Sequence, residues 1–304
     1  MAEPILIVGT GALACLFAAR LAAESVPITM LGTWPEGLAA LRQHGVMLVQ
    51  PDGKQEAFSV TATKDPQDCV GIKYALVLVK SWQTTRAAEQ LAECLPEDGL
   101  ALTLQNGLGN LEILSNALGA ERVALGVTTT GATLLSSGRV RPGGDGVVSL
   151  GQHPRLAPLS KQLKTVGFNL EILDDVDQLT WGKLVINAAI NPLTALLKVA
   201  NGELISRGSA RQMSSELALE VAQVAAAQGI SLAYNDPVLA AEGVAERTAV
   251  NNSSMYQDIL RGAPTEIDAI CGQVVAHGEK LGIPTPVNRV MWHLVRAIRE
   301  GQTE

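Results

Sequence analysis

The sequence predicts an α/β domain on a mainly parallel sheet over residues 1–173, followed by an all-α domain over residues 174–304. Three observations predict it. The short apolar run Ile5-Leu6-Ile7-Val8 leads straight into a glycine-rich turn and an Ala-rich helical stretch. Short apolar runs then alternate with helical patterns as far as about residue 172. Past Asp177 the strand signals stop, and long helical patterns are cut by Gly229, Pro237, Pro264 and Pro284.

The first strand is Ile5 to Val8, short and rich in β-branched residues. Gly9-Thr10-Gly11-Ala12-Leu13-Ala14 follows, and a helix runs on toward Ala23. This is G-x-G-x-x-A in the context that gives it meaning, strand before and helix after. Gly9 permits the tight turn, Gly11 lets a pyrophosphate approach the backbone, and Ala14 allows close helix–strand packing. The helix N-terminus then turns unpaired N–H groups toward phosphate. The pattern predicts a Rossmann-type dinucleotide site.

Ile28 to Leu31 reads as the second strand, ending in Gly32, Thr33 and Trp34. An NAD site places Asp or Glu here, and an NADP site has an Arg nearby. This chain has neither. Without an acid nothing repels a 2′-phosphate, Thr33 offers a donor, and Arg42 is the nearest downstream cation. NADP(H) is therefore expected over NAD(H), and an Arg placed at Gly32 is expected to tighten NADPH further. Further strands are expected at Val46–Val49, Phe58–Thr61, Tyr74–Val79, Leu100–Leu104, Val123–Val127 and Val147–Leu150, with Arg139 to Gly146 as a turn-rich connection.

The second domain begins with Thr180-Trp181-Gly182-Lys183-Leu184-Val185-Ile186-Asn187-Ala188-Ala189-Ile190-Asn191-Pro192. Spacings of four put Lys183, Asn187 and Asn191 on one face of an otherwise apolar helix. A cation with two amides in a dry wall suits holding and protonating a small polar substrate. The alternative is a Lys that snorkels to water beside amides that serve the backbone. Two loops lie at carboxyl ends of expected strands, where open α/β sheets bind ligands. Lys80 in Lys80-Ser81-Trp82-Gln83 is either an anion ligand or a solvated cation. Asn106 in Gln105-Asn106-Gly107-Leu108-Gly109 either meets nicotinamide or substrate, or makes an ordinary Asn-Gly turn. Asn251-Asn252-Ser253-Ser254 offers amides and hydroxyls, or a helix cap. Thr265-Glu266-Ile267-Asp268 offers a carboxylate, or a helix first turn. Substrate is expected in the cleft between the two domains.

A net charge of −7 argues against nucleic acid or an anionic membrane as partner. No apolar run reaches spanning length, and the N-terminus lacks a basic region before its apolar run. Four unpaired-looking cysteines suit a reducing cytoplasm, and four scattered histidines predict no metal site.

Together these segments resemble the ketopantoate reductase (2-dehydropantoate 2-reductase) family. The resemblance runs through G-T-G-A-L-A at Gly9, V-K-S-W-Q at Lys80, Q-N-G-L-G at Asn106, W-G-K-L-V-I-N-A-A-I-N-P-L-T-A-L at Lys183, N-G-E-L at Asn201, N-N-S-S-M-Y-Q-D at Ser254 and T-E-I-D at Glu266. It implies NADPH-dependent reduction of 2-dehydropantoate to (R)-pantoate on the way to pantothenate and coenzyme A. It implies that Lys183 is the catalytic acid and that Glu266 supports the nicotinamide end; by its chemistry Glu266 either keeps Lys183 charged or orients the ribose. Asn106, Asn187, Asn191, Asn201, Asn251 and Ser254 then fall at substrate positions, and Lys80 near the cofactor–substrate junction. The family often carries an Arg after the second strand, where this chain has Gly32-Thr33. Competing readings are a β-hydroxyacid dehydrogenase, a reductase of another 2-keto acid and a non-catalytic NAD(P)-binding regulator. The expected partner is a small 2-keto acid, with the chain a monomer or a homodimer.

Overall fold

The computed structural model describes residues 2–300; Met1 and residues 301–304, at the outer ends of the two expected domains, lie outside the described residues. Two compact units form. Among the described residues, one takes residues 2–105 and Asn110–Val176, the other Asn106–Gly109 and residues 177–300. The short Asn106–Gly109 segment thus groups with the helical unit although its neighbours in sequence do not.

The first unit runs β1 (Ile5–Val8), α1 (Ala12–Ala23), β2 (Ile28–Leu31), α2 (Pro35–His44), β3 (Val46–Val49), β4 (Gln55–Phe58), β5 (Thr61–Thr63), β6 (Tyr74–Val77), α3 (Thr84–Cys94), β7 (Leu100–Thr103), α4 (Asn110–Leu118), β8 (Val123–Thr128), β9 (Ala132–Ser136), β10 (Arg139–Pro142), β11 (Val147–Gly151), α5 (Ala157–Thr165) and β12 (Asn169–Leu173). An eight-stranded sheet has the order β12-β11-β8-β7-β6-β1-β2-β5. Its pairs are parallel except β11 with β8. Central strands of such a sheet are covered on both faces, which is why they read as unbroken apolar runs. Alternate residues enter different cores. Ile5, Ile7, Leu76 and Leu102 face one way, and Leu6, Val8, Val77 and Ala101 the other.

On the first face, α1 also touches β3, β9 and β10 of a four-stranded sheet ordered β4-β3-β10-β9. A helix between two sheets has no solvent side. That explains why Ala14, Cys15, Leu16, Phe17, Ala18 and Ala19 are all buried.

Two expectations need correction. Phe58–Thr61 is not one strand: β4 ends at Phe58 against Val46 in the small sheet, and β5 starts at Thr61 against Thr29 in the large one. The chain changes sheets at Ser59-Val60, and local residue type carries no mark of that. Arg139 to Gly146 is not a plain connection either. Its first half is β10, antiparallel to β9 and parallel to β3. Only Val140 of β10 is fully buried, so apolar periodicity could not reveal it, and Pro142 sits at the strand end where a missing N–H is tolerated. The mostly exposed β12 hides for the same reason.

The second unit is helical: α6 (Asp177–Leu197), α7 (Glu203–Ser206), α8 (Gly208–Ala227), α9 (Pro237–Arg247), α10 (Ser254–Leu260), α11 (Gln273–Leu281) and α12 (Pro286–Glu300). Helix α6 is central, touching α8, α9, α10 and α12. Asp268–Gly272 is a wide helical turn of the π type just before α11. One buried carboxylate organises the far end. Glu220 on α8 accepts from the Val287 and Asn288 N–H groups, both at 2.8 Å, and from the Asn288 amide at 2.9 Å. It thereby occupies the donors that the start of α12 would otherwise leave unpaired. Glu220→Ala is expected to lower unfolding free energy by about 1.5–3 kcal/mol, the worth of bonds to a charged group. Chemical denaturation measures this, and a change below about 0.5 kcal/mol, the range of surface substitutions, would refute the anchoring role.

Candidate active site

In the first unit, the turn after β1 is shaped by what it lacks. Gly9 has φ +131°, and a Cβ there would stand 3.0 Å from the Leu78 carbonyl oxygen. Its N–H donates to the Leu31 carbonyl at 2.8 Å, tying the turn to β2. A Cβ on Gly11 would meet nothing within 4 Å, so the space before α1 is open. No side chain caps the start of α1. Free N–H groups facing open space are what a pyrophosphate requires. Thr10 is buried, Ala12 and Leu13 are partly buried and Ala14 is fully packed.

The end of β2 is closely packed at Gly32. A Cβ on Gly32 would stand 2.7 Å from Cγ2 of Thr10. An Arg at Gly32 therefore has to push the Thr10 methyl aside. Arg42 is exposed, and its Nε donates to the Ala62 carbonyl at 2.7 Å. Thr33 is exposed.

The loops after β6 and β7 are joined by side chains. Gln105 Nε2 donates to the Val79 carbonyl at 3.0 Å and to the Thr84 hydroxyl at 2.8 Å. The Thr84 hydroxyl reaches Asn110 Oδ1 at 2.7 Å. This network fixes the chain on both sides of Lys80, which is partly buried and extended. Gln105, singled out here by its contacts, was visible in sequence only as part of a motif.

In the second unit, Lys183, Asn187 and Asn191 lie along α6, Lys183 and Asn187 partly buried and Asn191 buried. Burial pushes the Lys183 ammonium down to about 8, and the Glu266 carboxylate opposes that shift. Glu266 is itself buried and accepts from Asn106 Nδ2 at 3.2 Å. Asn106 reaches it because its loop docks on the wide turn: the Leu108 N–H donates to the Ala269 carbonyl at 2.9 Å. That approach requires Gly107. Its φ is +79°, and a Cβ would lie 2.4 Å from the Ala269 oxygen. Wide turns of this type recur at functional sites.

The Asn251–Ser254 segment resolves an ambiguity. Ser253, not Ser254, is the cap of α10, accepting from the Tyr256 N–H at 3.1 Å. Ser254 stands exposed at the first helical position. The buried Thr194 hydroxyl of α6 lies 2.7 Å from Ser253 Oγ and 3.0 Å from the Asn191 carbonyl. It fixes the start of α10 against the Asn191 turn. Sequence reading missed both Ser253 and Thr194; adjacent serines look alike until one is seen to cap. Asn201 is buried, donates to the Thr248 hydroxyl at 2.8 Å, and its N–H donates to the Asn251 carbonyl at 3.0 Å. Exposed Asn251 is thus held from behind. Among the described residues, no group of three or more His, Cys, Asp or Glu is placed to hold a metal ion, and no helix is long and apolar enough to cross a membrane.

A phosphate-accepting turn on a parallel sheet, with a helical unit that carries a Lys beside a carboxylate and amides, defines a nicotinamide-dependent oxidoreductase as the class of protein. Residues 5–155 match the family description "Ketopantoate reductase PanE/ApbA" and residues 175–299 its C-terminal part. The chain belongs to the ketopantoate reductase family. It is 34% identical to a 2-dehydropantoate 2-reductase of Halobacterium salinarum over 98% of this chain and 99% of that one. The crystal structure of a family member from Ralstonia eutropha superposes with TM-score 0.93 at 31% identity, covering 99% of this chain and 100% of that one. A D-mandelate dehydrogenase, solved with NADH and anilino(oxo)acetate, gives TM-score 0.91 at 25% identity, again over 99% and 100%.

The two adjacent serines are separable by experiment. Ser253→Ala removes a cap and is expected to cost about 1 kcal/mol of stability. Ser254→Ala is expected to leave stability within about 0.5 kcal/mol, as an exposed position does, and to raise the KM for a keto acid by about 10- to 100-fold through loss of a bond to a carboxylate. Melting temperature and keto-acid KM on both variants decide it; an unchanged KM for Ser254→Ala removes that residue from the site.

Proposed function

We infer that the protein is a 2-dehydropantoate 2-reductase, reducing the 2-keto group to the hydroxyl of (R)-pantoate with NADPH. The observation that supports this best is the Lys183–Glu266–Asn106 arrangement: a desolvated ammonium opposed by a carboxylate that is itself held by an amide. When bound, the nicotinamide supplies the hydride. Gly9, Thr10, Gly11, Ala12, Leu13 and Ala14 would hold the phosphates, Thr33 would serve the adenosine ribose, and Lys80, Asn106 and Glu266 the nicotinamide end.

The protonated Lys183 ammonium donates a hydrogen bond to the substrate carbonyl oxygen. As negative charge grows on that oxygen the bond strengthens, and the Nζ proton then passes to it, leaving a neutral amine. Glu266 favours the charged form of Lys183 before transfer. The Ser254 hydroxyl anchors the substrate carboxylate, and Asn106, Asn187, Asn191, Asn201 and Asn251 serve the rest of the substrate, Asn187 and Asn191 its hydroxyl end. In this reading the enzyme is cytoplasmic and acts as a monomer or a homodimer.

NADPH oxidation with 2-dehydropantoate, set against a panel of aliphatic and aryl 2-keto acids, together with NADP+ reduction by 3-hydroxy acids, tests the substrate. Faster turnover of any other acid would overturn it, and binding without turnover would favour a regulator. Lys183→Ala is expected to lower kcat by roughly two to four orders of magnitude, the range for acid–base groups, with NADPH binding little changed. A near wild-type kcat would end the assignment.

The pH dependence has a definite sign. An acid must be protonated to work, and Lys183 holds its proton below about 8. Reduction is therefore expected to be level at lower pH and to fall as pH rises through that value. Glu266 raises the Lys183 pKa, so Glu266→Gln is expected to move the falling limb to lower pH. A limb that stays in place would show that Glu266 does not tune Lys183.

A further inference from the structure

In a dinucleotide-binding sheet, the residue just past the second strand distinguishes a ribose hydroxyl from a 2′-phosphate. Here Gly32 and Thr33 bring no charge. Nor is Gly32 open to one, because Thr10 Cγ2 stands 2.7 Å from where its Cβ would be. Arg42, the next cation along the chain, is bound through Nε to the Ala62 carbonyl.

The neighbouring strand carries a cation at the same level. Strands β2 and β5 are parallel, with Leu31 opposite Thr63. The Gly32 N–H donates to the Thr63 carbonyl at 3.0 Å, so the pairing extends past the end of β2. The residue after Thr63 is Lys64, which is exposed. Paired strands lie about 4.8 Å apart, a gap that the four-carbon stem of a Lys spans. Among the described residues, Lys64 has no side-chain hydrogen bond or ion pair. The acids beside it are committed elsewhere. Asp65 Oδ1 accepts from the Gln67 N–H at 2.9 Å, and Asp68 Oδ2 from the Thr63 hydroxyl at 2.5 Å.

We propose that Lys64, at the end of β5, is the residue that recognises the 2′-phosphate of the cofactor, with the exposed Thr33 hydroxyl as a second donor across the strand pair. The proposal rests on the reading of the chain as an NADPH-dependent reductase and names the residue that makes it so. A compact ammonium suits a phosphate dianion without the bidentate geometry an Arg would bring. An exposed ion pair of this kind is screened by salt, so cofactor preference should shrink as ionic strength rises.

Isothermal titration calorimetry of NADPH, NADH and 2′,5′-ADP against wild type, Lys64→Ala and Lys64→Arg tests it. Lys64→Ala is expected to weaken NADPH and 2′,5′-ADP by about 10- to 100-fold and to leave NADH unchanged. Lys64→Arg is expected to keep wild-type discrimination, which shows that charge is what counts. Equal weakening of NADPH and NADH, or an unchanged NADPH affinity in Lys64→Ala, overturns the proposal while the NADPH reading stands. A wild type that binds NADH as tightly as NADPH overturns both, and the wild-type titrations alone reveal it.

Discussion

An ammonium set into the wall of an apolar helix is costly, and the second unit is organised around that cost. Burial draws the Lys183 proton affinity down toward the physiological range, and one anion, Glu266, limits the fall. Glu266 is buried too and needs a donor, which Asn106 provides. Asn106 is in place because Gly107 lets its loop reach the Ala269 carbonyl. The same wide turn bends the Ala269 and Ile270 N–H groups, both at 3.1 Å, onto the Glu266 carbonyl. The Glu266 side chain is therefore held by Asn106, 160 positions away, and its backbone by the adjoining wide turn, and the proton affinity of Lys183 depends on both.

A second chain of dependence runs along α6. Pro192 lies inside the helix and brings no N–H, so the backbone one turn earlier, beside Asn187 and Asn191, loses an intrahelical donor. Thr194 holds this irregular stretch by bonding to the Asn191 carbonyl and to Ser253. Ser253 takes the cap of α10 and leaves Ser254 exposed at the helix start. Gly202 serves the neighbouring turn. A Cβ there would lie 2.6 Å from Cβ of Ala249, so the N-G in Asn201-Gly202 allows the Thr248–Asn251 segment to pack close.

These dependencies mark where sequence reading stops. The central strands and the phosphate turn were legible because their constraints are local: apolar runs and glycines at fixed spacing. The polar stripe of α6 was legible because helical periodicity puts residues four apart on one face. The change of sheet at Ser59-Val60 was not, because pairing partners are set by chain segments far away in sequence. Strand β10 was hidden for the same reason, buried at Val140 alone and ended by Pro142. At Ser253 and Ser254, two identical residues have different fates decided by a hydroxyl that lies 59 positions away from the first.

The two units also store functional information in opposite ways. Around the phosphate turn it lies in side chains that are absent. Gly9 allows a positive φ, Gly11 leaves open space, and Gly32 makes room for Thr10. Absence leaves a plain trace, since glycine has few substitutes where a Cβ would clash. With Thr10 filling the space beside Gly32, a side chain added there has to shift the Thr10 methyl. In the helical unit, information lies in side chains that are present, each dependent on a buried partner from a distant segment. Their identities can be read from spacing, but their roles follow only from which neighbour holds them.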